Sequence, residues 1–257
     1  MRIVPLGSGS RGNATLVEFD HARVLVDAGL SARSLGTRLS AAGVAPESID
    51  WILLSHEHTD HTRGAQRFSQ RHGVPVVSSY ETLEALDGSP AHFSEWVPLP
   101  DVGLLDLGRL VVEAFPVPHD AARPVGFVLH GSGVRVGLAT DLGHATTLVL
   151  ERLRGCDALM IESNYDTAML SRGKYPWQLK HRVAGRMGHL SNADAAAVLE
   201  HTVDDNCRAV ILAHLSENNN TPDLARRSAA RALWNAGRRR VTVRVASARR
   251  TSPEIQL

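Results

Sequence analysis

An apolar strand that runs straight into a cluster of ionisable side chains constrains this chain more than any other feature. The segment is Trp51-Ile52-Leu53-Leu54-Ser55-His56-Glu57-His58-Thr59-Asp60-His61. A core strand gains nothing by ending on three histidines and an aspartate, because buried polar groups cost free energy unless they find partners. Imidazole and carboxylate are good ligands for borderline divalent metals. His56 and His58 share the alternation of an extended chain and can face one ion. Asp60 and His61 are offset, so a turn can aim them at a second. HxHxDH after a hydrophobic strand therefore predicts a metal centre.

A catalytic metal usually takes three or more protein groups plus water. Three further candidates each follow an apolar strand: His119 after Val111–Val117, Asp141 after Val136–Thr140, and His214 after Val210–Ala213. The chain holds 13 His against 3 Tyr and 5 Phe, and its two cysteines, Cys156 and Cys207, form no CxxC pair. That excludes a cysteine-built zinc or redox site and suits a reducing cytoplasm. No apolar run is long enough to span a membrane, and the opening residues are too short an apolar run for a signal peptide.

Short β-branched runs punctuate the 257 residues. Strands are predicted at 2–6, 14–19, 23–27, 51–55, 74–78, 109–115, 126–130, 135–140, 158–162, 209–213 and 241–245. Ser191-Asn192-Ala193-Asp194 reads as a capping box opening an Ala-rich helix to about Val203. Thr221-Pro222-Asp223 supplies a cap, a first-turn proline and a first-turn acid. Ser31 and Ser79 are candidate caps of two more helices. Early hairpins followed by alternating strands and helices indicate an α/β domain with helices covering its sheets. No repeat or linker divides it, so one domain over 1–257 is expected, with 248–257 a frayed tail.

Net charge is +1, a poor indicator of any polyanionic partner until its distribution is read. From Thr167 to Ala193 there are five basic residues and no acid; from Ala225 to Thr251 there are nine arginines and no acid. The remainder carries 14 basic and 27 acidic residues, 14 − 27 = −13. Such segregation can polarise a surface.

HxHxDH with a later His, a later Asp and a final His resembles the metallo-β-lactamase fold, over nearly the whole chain. Within it the YycJ/WalJ (VicX-like) group is most similar. The resemblance rests on Gly7-Ser8-Gly9-Ser10-Arg11-Gly12-Asn13, the Ser55–His61 segment, Pro118-His119-Asp120-Ala121, Thr140-Asp141-Leu142-Gly143, Gly173-Lys174-Tyr175-Pro176-Trp177-Gln178-Leu179-Lys180, Gly188-His189-Leu190-Ser191-Asn192 and His214-Leu215-Ser216-Glu217-Asn218-Asn219. HxHxDH is specific to the superfamily, the last three to the group. The resemblance implies a four-layer αβ/βα sandwich and a cytoplasmic 5′-to-3′ DNA exonuclease of DNA repair, related to ribonucleases Z and J. The interval from Asp141 to His214 is too short for the inserted domain of ribonuclease J-like proteins.

By that resemblance, His56, His58 and His119 hold one divalent ion (manganese or zinc), Asp60, His61 and His214 hold a second, and Asp141 bridges them. Asp60 counts with the catalytic residues as well as the ligands, and Asp27, at the end of an early strand, matches an anchor behind the metal loop. In ribonuclease Z-like relatives a Glu–His pair protonates the leaving group, and the matching positions are Glu162 and His189. The chain departs from the group's pattern at Tyr165, where a His more often precedes Asp. DNA contacts are expected from Lys174, Tyr175, Trp177, Lys180, Arg182 and Arg186, whose acid-free segment lies between Asp141 and His214. Ser8, Ser10 and Asn13 in the Gly-rich turn are expected to meet a terminal phosphate. The rival substrates are RNA and a small or cyclic phosphodiester, because one fold serves many chemistries. A non-catalytic module is the remaining alternative, and no membrane partner is expected.

Overall fold

In the computed structural model, which describes residues 1–101 and 103–257, two seven-stranded sheets stack face to face. The first contains β1 (Arg2–Gly7), β2 (Ala14–Phe19), β3 (Ala22–Val26), β4 (Trp51–Leu53), β5 (Val76–Ser78) and β6 (Trp96–Pro98). The second contains β7 (Leu104–Asp106), β8 (Val111–Pro116), β9 (Val125–Gly131), β10 (Val134–Ala139), β11 (Ala158–Glu162), β12 (Ala209–Ala213) and β13 (Thr242–Val245). A closing strand, β14 (Ile255–Gln256), returns to β1. The helices are α1 (Ala32–Ala41), α2 (Thr59–Thr62), α3 (Ala65–His72), α4 (Tyr80–Ala85), α5 (Thr147–Leu153), α6 (Thr167–Arg172), α7 (Trp177–Ala184), α8 (Asn192–Thr202) and α9 (Pro222–Asn235).

Strand alternation builds the layers. In β11, Ala158 and Met160 face the other sheet, while Leu159 and Ile161 face helices. In β3, Val24 and Val26 point between the sheets and Leu25 points to α1, whose Leu35 and Leu39 are fully buried. Strands buried on both faces read as continuous apolar runs. Each sheet pairs an antiparallel part with a parallel part: β3 to β6 run parallel in the first, β10 to β13 in the second. Parallel strands deliver their C-terminal ends to one rim, and the loops leaving that rim carry the chemistry.

All eleven expected strands form, within a few residues at their ends. Ser31, Ser79, Ser191 and Thr221 each accept a backbone N–H as helix caps, and Ser191 with Asp194 closes the capping box. The strands β6, β7 and β14 had no sequence signal, being only two or three residues long. The expected fraying beyond 247 is corrected by β14: Ile255 pairs with Ile3 and is buried against the inter-sheet core.

Candidate metal centre

Six strand ends converge on the rim. Asp27 leaves β3; His56, His58, Asp60 and His61 follow β4; His119 follows β8. Asp141 follows β10, Glu162 ends β11, and His214 follows β12. Asp27, Asp141 and His214 adopt φ of 59°, 55° and 53°. Positive φ is uncommon for residues other than glycine and clusters at functional sites. Here it turns each side chain off its strand at the first (Asp27, His214) or second (Asp141) residue beyond it. Close packing beneath the metal loop also requires Gly29, since a Cβ there would lie 1.6 Å from the Asp60 carbonyl oxygen.

The ligand atoms of His56, His58 and His119 lie within 4.8 Å of one another, as do those of Asp60, His61 and His214. Asp141 stands between the groups, with Oδ2 2.9 Å from His61 Nε2, and Oδ1 3.8 Å from His119 Nε2 and 3.2 Å from His214 Nδ1. All seven expected ligands are therefore brought together, five of them buried. Their tautomers suit metal binding. His119 Nδ1–H donates to the Gly188 carbonyl at 3.1 Å, His61 Nδ1–H to Asp27 Oδ2 at 2.7 Å, and His214 Nδ1–H to Glu162 Oε1 at 2.8 Å. Each leaves Nε2 for an ion, the arrangement by which outer carboxylates and carbonyls orient metal-binding imidazoles. His56 Nε2 and His214 Nε2 are buried without a hydrogen-bond partner, and Asp141 Oδ2 faces His61 Nε2, which carries no proton in the tautomer that donates Nδ1–H to Asp27. Orphaned buried polar atoms are costly, and three at one point fit divalent cations.

The carboxylates behind the cluster are held firmly. Asp27 accepts the Ser55 N–H at 2.9 Å and the Ser55 hydroxyl at 3.0 Å. Ser55, unremarked in the sequence because a lone serine carries no signal, also lies 3.0 Å from His56 Nδ1. Glu162 is fully buried and accepts from Leu142 N–H and Leu190 N–H through Oε2, and from His189 and His214 through Oε1, both at 2.8 Å. Burial opposes ionisation of Glu162, but the His189 charge and hydrogen bonds hold its pKa below the usual range. Burial likewise opposes charge on His189, and Glu162 outweighs it, so His189 is raised. Burial and then His61 push His56 well down.

These groups border a cavity of about 310 Å³, lined by His58, Asp60, His119, Asp141, His189 and His214 together with Ser10, Asp120, Tyr175, Arg182 and Ser216. Of the expected substrate contacts, Ser10, Tyr175 and Arg182 line it; Lys174, Trp177, Lys180 and Arg186 lie outside its lining. Lys180 Nζ donates to the Ser171 carbonyl, and Arg186 binds His144. Trp177 is 70% exposed and meets His181 edge-on, with 3.6 Å between ring centroids and 64° between the planes. Ser8 and Asn13 are corrected: both turn inward. Ser8 Oγ accepts the His214 N–H at 2.7 Å, and Asn13 Nδ2 lies 2.9 Å from His61 Nε2 and 3.3 Å from Asp60 Oδ2. Their small polar side chains satisfy the metal loops instead of facing a phosphate. Asp120, unforeseen, lines the cavity and accepts from Arg182 at 2.8 Å. Tyr165, where the chain departs from the group's pattern, is buried with Leu170 and Val183 and serves packing.

Comparison with known proteins agrees with this fold. Residues 22–215 match the model of the beta-lactamase superfamily domain. The chain is 33% identical to Exodeoxyribonuclease YycJ of Bacillus anthracis, over 90% of this chain and 89% of that protein. It is 32% identical to Exodeoxyribonuclease WalJ of Streptococcus pneumoniae, over 86% and 83%. The metallo-beta-lactamase fold protein YhfI from Bacillus subtilis superposes with a TM-score of 0.76 at 15% identity, covering 99% of each chain, which shows the shared fold.

Proposed function

This chain belongs to the beta-lactamase superfamily as a metal-dependent hydrolase, and from that premise we propose that it is a two-metal phosphodiesterase degrading DNA from an end. The observation that carries the reading is Asp141, placed within reach of two ligand triads, with His189 on the same cavity wall and the buried Glu162 behind it. His56, His58 and His119 would hold one ion, Asp60, His61 and His214 the other, and Asp141 both, with manganese and zinc each compatible with this donor set. Two such ions neutralise the phosphate, lower the pKa of water and stabilise the entering and leaving oxygens.

The chain's own residues do the rest. Glu162 keeps His189 charged and fixes its ring through Nδ1, which leaves Nε2–H to protonate the departing oxygen. Glu162 also orients His214 through the same oxygen, so proton donor and ligand share one support. Arg182 and Tyr175 on the wall meet the phosphate and the terminal base, and Trp177 extends the stacking surface outside. The 5′-to-3′ direction and a place in cytoplasmic DNA repair complete the proposal. Likeness to exodeoxyribonucleases over most of both chains favours DNA over RNA and over a small or cyclic diester.

The test is end-labelled single- and double-stranded DNA and RNA, bearing 5′-phosphate or 5′-hydroxyl, incubated with the protein and manganese or zinc. Stepwise shortening of DNA from the 5′ end is expected. Failure to cut any of them under either metal, with hydrolysis of a chromogenic diester, would replace the nuclease by a small-molecule phosphodiesterase.

A further inference from the structure

The arginine-rich end of the chain reaches the cavity's flank. Ser247–Ser252 folds across the turn that follows β1: Ser8 N–H donates to the Ser247 carbonyl at 3.0 Å, Ser252 N–H to the Pro5 carbonyl at 2.9 Å, and Ser247 N–H to Ser252 Oγ at 2.9 Å. Arg38 donates to the Leu6 carbonyl and, at 3.0 Å, to the Arg249 carbonyl, while Arg63 donates to the Arg11 carbonyl at 3.2 Å. Arg11 and Arg249 thus spring from a pinned backbone, with side chains 64% and 73% exposed. Both converge on one carboxylate. Arg11 Nη2 lies 2.9 Å from Glu217 Oε2, and Arg249 Nε lies 3.3 Å from Glu217 Oε1. Ser10, next to Arg11, and Ser216, next to Glu217, line the cavity.

Exposed ion pairs add little stability, being screened and entropically costly. Two guanidiniums on one carboxylate also leave a net positive charge beside the metal site. We propose that Arg11 and Arg249 form a phosphate subsite for a nucleic-acid chain, gripping a phosphodiester beyond the bond being cut, and that Glu217 holds the two arginines in place until phosphate displaces it. The inference rests on the nuclease reading. Carboxylate and phosphate present similar oxygen geometry to guanidinium, so the exchange keeps the arginines' hydrogen bonds. A small diester seated in the cavity does not extend to the flank, whereas a polynucleotide does, so the subsite selects for chain length. It also supplies what the Gly-rich turn was expected to provide: Ser8 and Asn13 face inward, but Arg11 of that turn faces out.

The test compares Arg11→Gln/Arg249→Gln and Glu217→Gln with the unaltered protein. Each is assayed on a single-stranded DNA oligonucleotide and on bis(4-nitrophenyl) phosphate, with binding of the labelled oligonucleotide followed by fluorescence anisotropy across a salt series. The double variant is expected to raise KM for the oligonucleotide roughly tenfold and to flatten the log–log salt slope by about 1.4, two contacts at about 0.7 each. The loss on the small diester is expected to be much smaller. Glu217→Gln, which removes the competing charge, is expected to lower KM for the oligonucleotide severalfold. An unchanged KM and slope in the double variant, or a raised KM in Glu217→Gln, overturns the subsite. Anisotropy separates the two readings. Binding that depends on both arginines without cleavage removes the nuclease and keeps the subsite, while cleavage and binding indifferent to them do the reverse.

Discussion

The two halves of the metal centre are built by opposite means. Asp27 and the His56–His61 loop come from neighbouring parallel strands, β3 and β4, and one short turn. His119, Asp141, Glu162, His189 and His214 come from four strand ends and the approach to α8, spread over residues 119–214. Each half leans on one buried carboxylate. Asp27 steadies Ser55 and a single imidazole; Glu162 steadies two imidazoles and two backbone N–H groups. The difference teaches where fragility lies. A local loop keeps its geometry through many short-range bonds, whereas the dispersed half depends on one fully buried side chain.

Removing Asp141, the dispersed-half residue that both ligand triads share, should have the largest effect. Asp141→Ala is expected to abolish turnover while circular dichroism stays native; near-normal activity with verified metal content would break the comparison. Next comes His189, the proposed proton donor on the dispersed side. His189→Ala should slow cleavage by about 10²–10⁴-fold, the usual range for general acid catalysis. A substrate with sulfur as the leaving atom should restore most of the loss, since a thiolate needs no proton; absence of rescue would make His189 a positioning residue. The two supporting carboxylates sharpen the contrast. Asp27→Asn should cost roughly 10–100-fold in metal affinity or activity, as outer-shell changes do, and Glu162→Gln should cost more. Equal losses would mean that dispersed construction brings no added fragility.

The smallest effect is on stability and concerns the metal-free protein. Burial opposes charge on His61, but Asp27 and Asp141 raise its pKa to about 10. A raised histidine stabilises the fold fully below its unfolded pKa of 6.5 and loses that contribution as pH climbs through about 10. Thermal midpoints without metal should therefore fall between those limits, and metal-loaded protein should resist the fall because the ligands are already deprotonated. His56 is shifted the other way and acts only on the acid side. A flat profile in chelator would contradict the charge balance around His61.

The same contrast decides what was legible in sequence. The local half announces itself, since His56, His58, Asp60 and His61 crowd into six residues after a hydrophobic run. His119, Asp141 and His214 were legible only one at a time, as ligand types ending apolar strands, and the resemblance was needed to pair Glu162 with His189. Short β-branched apolar runs and helix caps made most strands of both sheets and four helix starts readable. The short strands β6, β7 and β14 offered no period to detect. The inward turn of Ser8 and Asn13 was hidden as well, because their partners, His214 and His61, are 206 and 48 residues away. Long-range hydrogen bonding, unlike periodicity, leaves no local trace.

In the proposed centre one buried cluster holds two ions that share Asp141, and metal stoichiometry tests this most directly. Protein loaded with manganese or zinc, dialysed and measured for metal per chain, should carry two ions, falling to about one in His58→Ala, where the Asp60, His61 and His214 group stays intact. A single ion in the unaltered chain, or two ions retained after loss of His58, would contradict it.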